Sequence, residues 1–109
     1  MSGYKECICS AEEAVQKVKS GDRIVFSHAC GEPRVLPATL MKRVDELTDV
    51  QIVHMVPMGE ALYCRPEYAG SFRHVALFSG APTREAIWEN RADYVPYVFS
   101  EIPFLFDSV

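Results

Sequence analysis

Val50-Gln51-Ile52-Val53-His54-Met55-Val56 runs straight into Pro57-Met58-Gly59-Glu60. A short stretch rich in β-branched and apolar residues reads as a strand, and the abrupt change to Pro and Gly marks its end. The same grammar recurs on both sides. Upstream, Arg23-Ile24-Val25-Phe26-Ser27 reads as a buried strand, followed by His28-Ala29-Cys30-Gly31-Glu32-Pro33. Downstream, Arg73-His74-Val75-Ala76-Leu77-Phe78 reads as a third strand, followed by Ser79-Gly80-Ala81-Pro82-Thr83. Tyr94-Val95-Pro96-Tyr97-Val98-Phe99 reads as a fourth, at an edge or a bulge because Pro96 cannot donate to a ladder, and Ser100-Glu101-Ile102-Pro103 follows it.

Helical patterns separate these strands. Ser10-Ala11-Glu12-Glu13 is a capping box in which Ser10 caps the backbone and Glu13 reaches back. It opens a helix over about residues 11–20, with Ala11, Ala14, Val15 and Val18 on one face and Gly21 as the stop. A second helix starts between Pro33 and Pro37, buries Leu36, Leu40, Val44 and Leu47, and closes at Thr48-Asp49. A third is capped by Thr83, carries Glu85 near its positive end, and stops near Asn90. Residues 59–72 read as loops and a short helix. Alternation of this kind predicts an α/β fold with a mostly parallel sheet, flanking helices and right-handed crossovers.

Composition limits what such a fold does. At 109 residues and 49% apolar content the chain builds one core, so a single domain over 1–109 is the expectation. A formal charge of -4 with scattered Lys and Arg argues against nucleic acid as a partner. No apolar run reaches membrane-spanning length, and Met1-Ser2-Gly3-Tyr4-Lys5-Glu6 lacks a signal-peptide core, so a cytoplasmic protein away from membranes is expected. Cys7, Cys9, Cys30 and Cys64 lack the paired spacing of a zinc site and are read as free, buried thiols, with no metal expected.

Ligands of parallel sheets gather at the carboxyl ends of the strands, so the four strand-end segments hold the candidate site. Gly31, Gly59 and Gly80 permit close approach of a ligand to the main chain, although turns need glycine with or without one. Glu32, Glu60 and Glu101 offer carboxylates for nucleophilic, basic or hydrogen-bonding roles, while helix-dipole stabilisation alone accounts for Glu32. The candidate substrate-facing set is Gly31, Glu32, Pro33, Met58, Gly59, Glu60, Ser79, Gly80, Thr83 and Glu101. His28 and His54 offer general acids, but His54 lies within a strand, where satisfying a buried hydrogen bond explains it. No phosphate loop or dinucleotide fingerprint is present.

The chain resembles the N-terminal region of the acetyl-CoA hydrolase/transferase family, in its 4-hydroxybutyrate and butyryl-CoA:acetate CoA-transferase branch. The resemblance rests on the order and spacing of Ser10-Ala11-Glu12-Glu13-Ala14-Val15, Lys19-Ser20-Gly21-Asp22-Arg23, His28-Ala29-Cys30-Gly31-Glu32-Pro33, Val53-His54-Met55-Val56, Met58-Gly59-Glu60, Phe72-Arg73-His74, Thr83-Arg84-Glu85 and Phe99-Ser100-Glu101-Ile102-Pro103. It implies the NagB/RpiA/CoA-transferase-like fold, an incomplete N-terminal domain, and a homo-oligomer. It also implies transfer of coenzyme A, a substrate and not a cofactor, from an acyl-CoA to a short-chain carboxylate through an enzyme glutamyl thioester. By the same resemblance the nucleophilic glutamate and a Gly-rich CoA segment lie beyond Val109, in a C-terminal part of the enzyme, and the 109 residues alone are inactive. Two other readings stay open: a hydrolase of the same family, and a non-catalytic α/β binding module.

Overall fold

The computed structural model describes residues 3–107. Among them one sheet has four strands: β1 (Arg23–Val25), β2 (Val50–His54), β3 (Phe72–Ala76) and β4 (Ala92–Tyr94), in the order β1-β2-β3-β4. All three pairings are parallel, and the register sets Ile24 beside Ile52, Ile52 beside His74 and His74 beside Ala92. Side chains alternate across a strand, so these residues share one face. That face meets helices α1 (Ala11–Val15) and α2 (Val35–Met41), and one core of Val15, Phe26, Leu40, Leu47, Ile52 and Phe72 fills the space. Each fully buried Ile or Phe contributes roughly 1.5–3 kcal/mol.

The alternating α/β architecture and the parallel sheet stand as the sequence predicts; several boundaries do not. Helix α1 ends at Val15, not near residue 20. The guanidinium of Arg43 takes the carbonyls of Val15 and Val18 at 2.6 and 2.7 Å, and the chain beyond tightens into turns. Gly21 serves later, at φ +87, in the turn leading to β1. Ser10 caps α1 through the Glu13 N–H, as expected, but its hydroxyl also donates to the Glu13 carboxylate, which therefore does not reach back to the backbone.

Helix α2 is seven residues long, and its sequel to Glu46 is held by i to i−3 bonds. Leu36 is 40% exposed and not buried, because it stands at the mouth of an apolar hollow bordered by Val15, Val18 and Ile24. Strand β1, expected to be buried, is an edge strand with Val25 41% exposed. The fourth strand lies upstream of its predicted place: Ala92–Tyr94 pairs with His74–Ala76, the last ladder bond is Val95 N–H to the Ala76 carbonyl, and Pro96 has no proton to continue.

Helix α3 (Arg84–Trp88) forms where expected, but Thr83 does not cap it. The Thr83 hydroxyl, fully buried, donates instead to the Gly80 carbonyl at 3.3 Å. Three of the four cysteines, Cys7, Cys9 and Cys30, are exposed and stand outside the core, not buried as expected. Cys64 is partly buried, and burial pushes its thiol up to about 12.

Candidate functional site

The site is built where the segments after β1 and β2 meet. After β1 the chain passes through Ser27 and His28 into a single 3-10 turn, Ala29–Gly31, which delivers Glu32 and Pro33 to the sheet edge. After β2 it passes through Met58 and Gly59 into a second such turn, Leu62–Cys64. Ala29 N–H bonds to the Val56 carbonyl at 2.9 Å and fastens the two segments together.

His54, at the end of β2, organises what lies beneath. Its ring is fully buried, and its Nε2 stands 2.9 Å from the Ser27 carbonyl, an acceptor that fixes the proton on Nε2. Nδ1 therefore accepts, and the Tyr63 hydroxyl donates to it at 2.7 Å. Burial holds His54 below the usual histidine range and pushes the Tyr63 phenol well up, so the pair stays neutral. This is the satisfied buried histidine that a strand position predicts. His74 is also buried but only half satisfied: Nδ1 donates to the Ile52 carbonyl at 3.0 Å, while its Nε2 has no partner among the described residues.

His28 stacks on His54, ring centroids 5.6 Å apart, and meets the edge of Phe99 at 6.0 Å. The Met55 N–H donates to His28 Nδ1 at 3.1 Å. A backbone amide always donates, so neutral His28 carries its proton on Nε2. Burial lowers its pKa and favours that neutral form. The Nε2–H has no protein partner among the described residues, and the ring borders a largely apolar hollow of about 330 Å³ with Phe99, Ile102 and Pro103.

Glu32 also approaches His54. Its side chain is only 7% exposed, with Oε1 3.7 Å from His54 Nδ1 and Oε2 accepting the Met58 N–H at 3.2 Å. Gly59 makes this approach possible, because a Cβ there would lie 3.0 Å from Oε2. Glu32, Pro33, Arg34, Gly59, Glu60 and Tyr63 border a cavity of about 230 Å³.

Of the ten candidate residues, the structure thus gathers Glu32, Pro33, Gly59 and Glu60 around one cavity, with Met58 tied to Glu32 by its amide. Glu60 is solvent-facing and pairs with Arg65 at 3.4 Å. Gly31 is exposed, and a Cβ there would make only ordinary contact with Ser27. Ser79, Gly80 and Thr83 belong to the β3 end and border neither this cavity nor the His28 hollow; Glu101 is exposed in the 3-10 segment Phe99–Asp107. Arg34, Tyr63 and Phe99 join the site without having been singled out. His28 had one signal, its place directly after a predicted strand. Among the described residues no three His, Cys, Asp or Glu side chains are grouped to hold a metal ion, and no helix is long and apolar enough to cross a membrane.

A parallel α/β sheet with its built site at the carboxyl edge defines the class, and similarity to known proteins specifies it further. Residues 1–108 match the acetyl-CoA hydrolase/transferase N-terminal domain, and the chain belongs to that family. It is 47% identical over 103 residues to the 4-hydroxybutyrate coenzyme A transferase of Clostridium kluyveri, covering 94% of this chain and 24% of that protein. It is 35% identical over 105 residues to the succinyl-CoA:cyclohexane-1-carboxylate CoA transferase of Geobacter metallireducens, covering 94% and 23%. The fold matches the crystal structure of RipA from Yersinia pestis with a TM-score of 0.83 at 23% identity, over 94% of this chain and 26% of that one. The chain spans about a quarter of the length of the curated relatives it matches.

Proposed function

We propose that this chain is the N-terminal part of an acyl-CoA:carboxylate CoA-transferase acting on short-chain acids such as 4-hydroxybutyrate, butyrate or acetate. Family membership and relatives named as CoA transferases support the reading. The observation that carries it is the Nε2–H of His28, without a partner among the described residues and held in one tautomer by the Met55 amide beside an apolar hollow at the strand ends.

The chemistry asks for such a donor. An enzyme glutamate, supplied by the C-terminal part of the enzyme, attacks the thioester carbonyl. The C–S bond breaks, CoA leaves as thiolate, and an acyl-glutamyl anhydride remains. The thiolate then attacks the glutamyl carbonyl, releases the first acid as carboxylate, and leaves CoA on the enzyme as a thioester. A second carboxylate reverses both steps. Negative charge gathers on carbonyl and carboxylate oxygens throughout, and a neutral N–H donor placed beforehand stabilises it without becoming charged. His28 is that donor in this reading, the apolar hollow receives part of the substrate, and the remaining substrate-binding groups and a homo-oligomeric assembly come with the complete enzyme in the cytoplasm.

The test is the fate of CoA. The complete enzyme is given butyryl-CoA with and without acetate; acetyl-CoA formed in step with acetate is the expected result. Butyryl-CoA hydrolysed at a rate indifferent to acetate would contradict transfer and identify a hydrolase.

A further inference from the structure

The wall of the cavity beside Glu32 holds a nearly buried carboxylate and, further out, the exposed guanidinium of Arg34. Glu32 is nearly buried in its wall, held by one hydrogen bond from the Met58 amide. Among the described residues no Lys or Arg pairs with it. His54 Nδ1 lies 3.7 Å from Oε1, but its lone pair is already taken by Tyr63 and burial disfavours its charged form. Glu60 is drawn outward to Arg65. Arg34 is exposed, its Nη1 3.5 Å from where a Cβ on Gly59 would stand. Pro33, Pro37, Ala38 and Leu62 make much of the remaining wall apolar.

We infer that Glu32 sets acyl selectivity at this cavity by excluding acyl groups whose far end carries a second carboxylate, leaving alkyl and hydroxyalkyl chains as its ligands. A carboxylate brought against a fixed, poorly hydrated carboxylate is strongly disfavoured. A hydroxyl at the same place donates to Glu32 Oε1, which accepts no hydrogen bond from the protein among the described residues. The volume of about 230 Å³ takes a chain of a few carbons. The inference rests on the transferase reading only in taking an acyl thioester as the ligand.

The S-butyryl, S-(4-hydroxybutyryl) and S-succinyl thioesters of N-acetylcysteamine differ only at the far end of the acyl chain. Each is titrated into the complete enzyme while the Met58 and Gly59 amide resonances are followed. Butyryl and 4-hydroxybutyryl thioesters are expected to shift both amides, with the succinyl thioester at least about tenfold weaker. Glu32→Gln keeps an acceptor for the Met58 amide and brings succinyl to within about threefold of butyryl; Arg34→Ala leaves the wild-type ranking in place. Equal binding of succinyl to the wild type, a ranking unmoved by Glu32→Gln, or no shift with any thioester overturns the inference. A succinyl preference abolished by Arg34→Ala also overturns it and assigns selection to Arg34. Failure of the transferase reading shows elsewhere, as acetate-independent loss of acyl-CoA.

Discussion

The two halves of the sheet's carboxyl edge are built differently. At the ends of β1 and β2, buried polar side chains tie the loops together: His54 joins Ser27 and Tyr63, and Glu32 and His28 each receive a backbone amide from the residues after β2. At the ends of β3 and β4, Thr83 spends its hydroxyl within its own turn, and the segment beyond Tyr94 presents Val98, Phe99, Phe104 and Phe106 to solvent, each more than 60% exposed. One half fixes donors and acceptors around cavities; the other offers apolar surface with little polar order. Buried polar groups are costly unless paired, so the investment in the first half marks where geometry is controlled.

The largest effect is expected from acid, and it falls on the sheet between the two halves, where His74 of β3 is buried. Burial brings His74 down to about 4 from its ordinary 6.5, so it is neutral in the folded chain. The unfolded chain binds the proton more readily, so this contribution to stability is complete above pH 6.5 and is lost as pH falls toward 4, up to roughly 3 kcal/mol. Urea unfolding midpoints at pH 7 and pH 5 are expected to differ accordingly, and His74→Gln should flatten the difference.

A smaller effect is expected from Gly59→Ala. The new methyl displaces the Glu32 carboxylate, and loss of its Met58 bond costs about 1 kcal/mol; thermal unfolding and the Met58 amide resonance report it. If neither changes, the link between the first two loops is not what holds them.

The smallest effect is expected away from the carboxyl edge. Arg73 and Asp93 pair across β3 and β4 at 2.6 and 2.7 Å, with side chains 40% and 46% exposed. Arg73→Ala should cost under about 1 kcal/mol, because solvent screens such pairs. A larger loss in urea unfolding would show that the second half depends on this pair more than its exposure allows.

The central strands were legible in sequence because β2 and β3 are short apolar runs with Pro or Gly soon after them, and parallel strands buried in a core need just that. Strand β4 was misplaced because Tyr94–Phe99 has strand-like composition, whereas pairing is decided by the Ala76 carbonyl and stopped by Pro96. The site was half legible. Gly31, Glu32 and Gly59 stood out as punctuation, and the placement of Glu32 and Gly59 at one cavity follows from the β1/β2 register. The burial of Glu32 and the tautomer of His28 depend on contacts between residues more than twenty positions apart, which no local pattern encodes.

His28 bears most directly on the function proposed for the first half. In the complete enzyme, the acetate-dependent conversion of butyryl-CoA to acetyl-CoA is measured for wild type and His28→Ala. Removing a donor that acts on developing charge should lower kcat by about 100-fold with a much smaller change in KM. A variant that transfers CoA at the wild-type kcat would contradict the account.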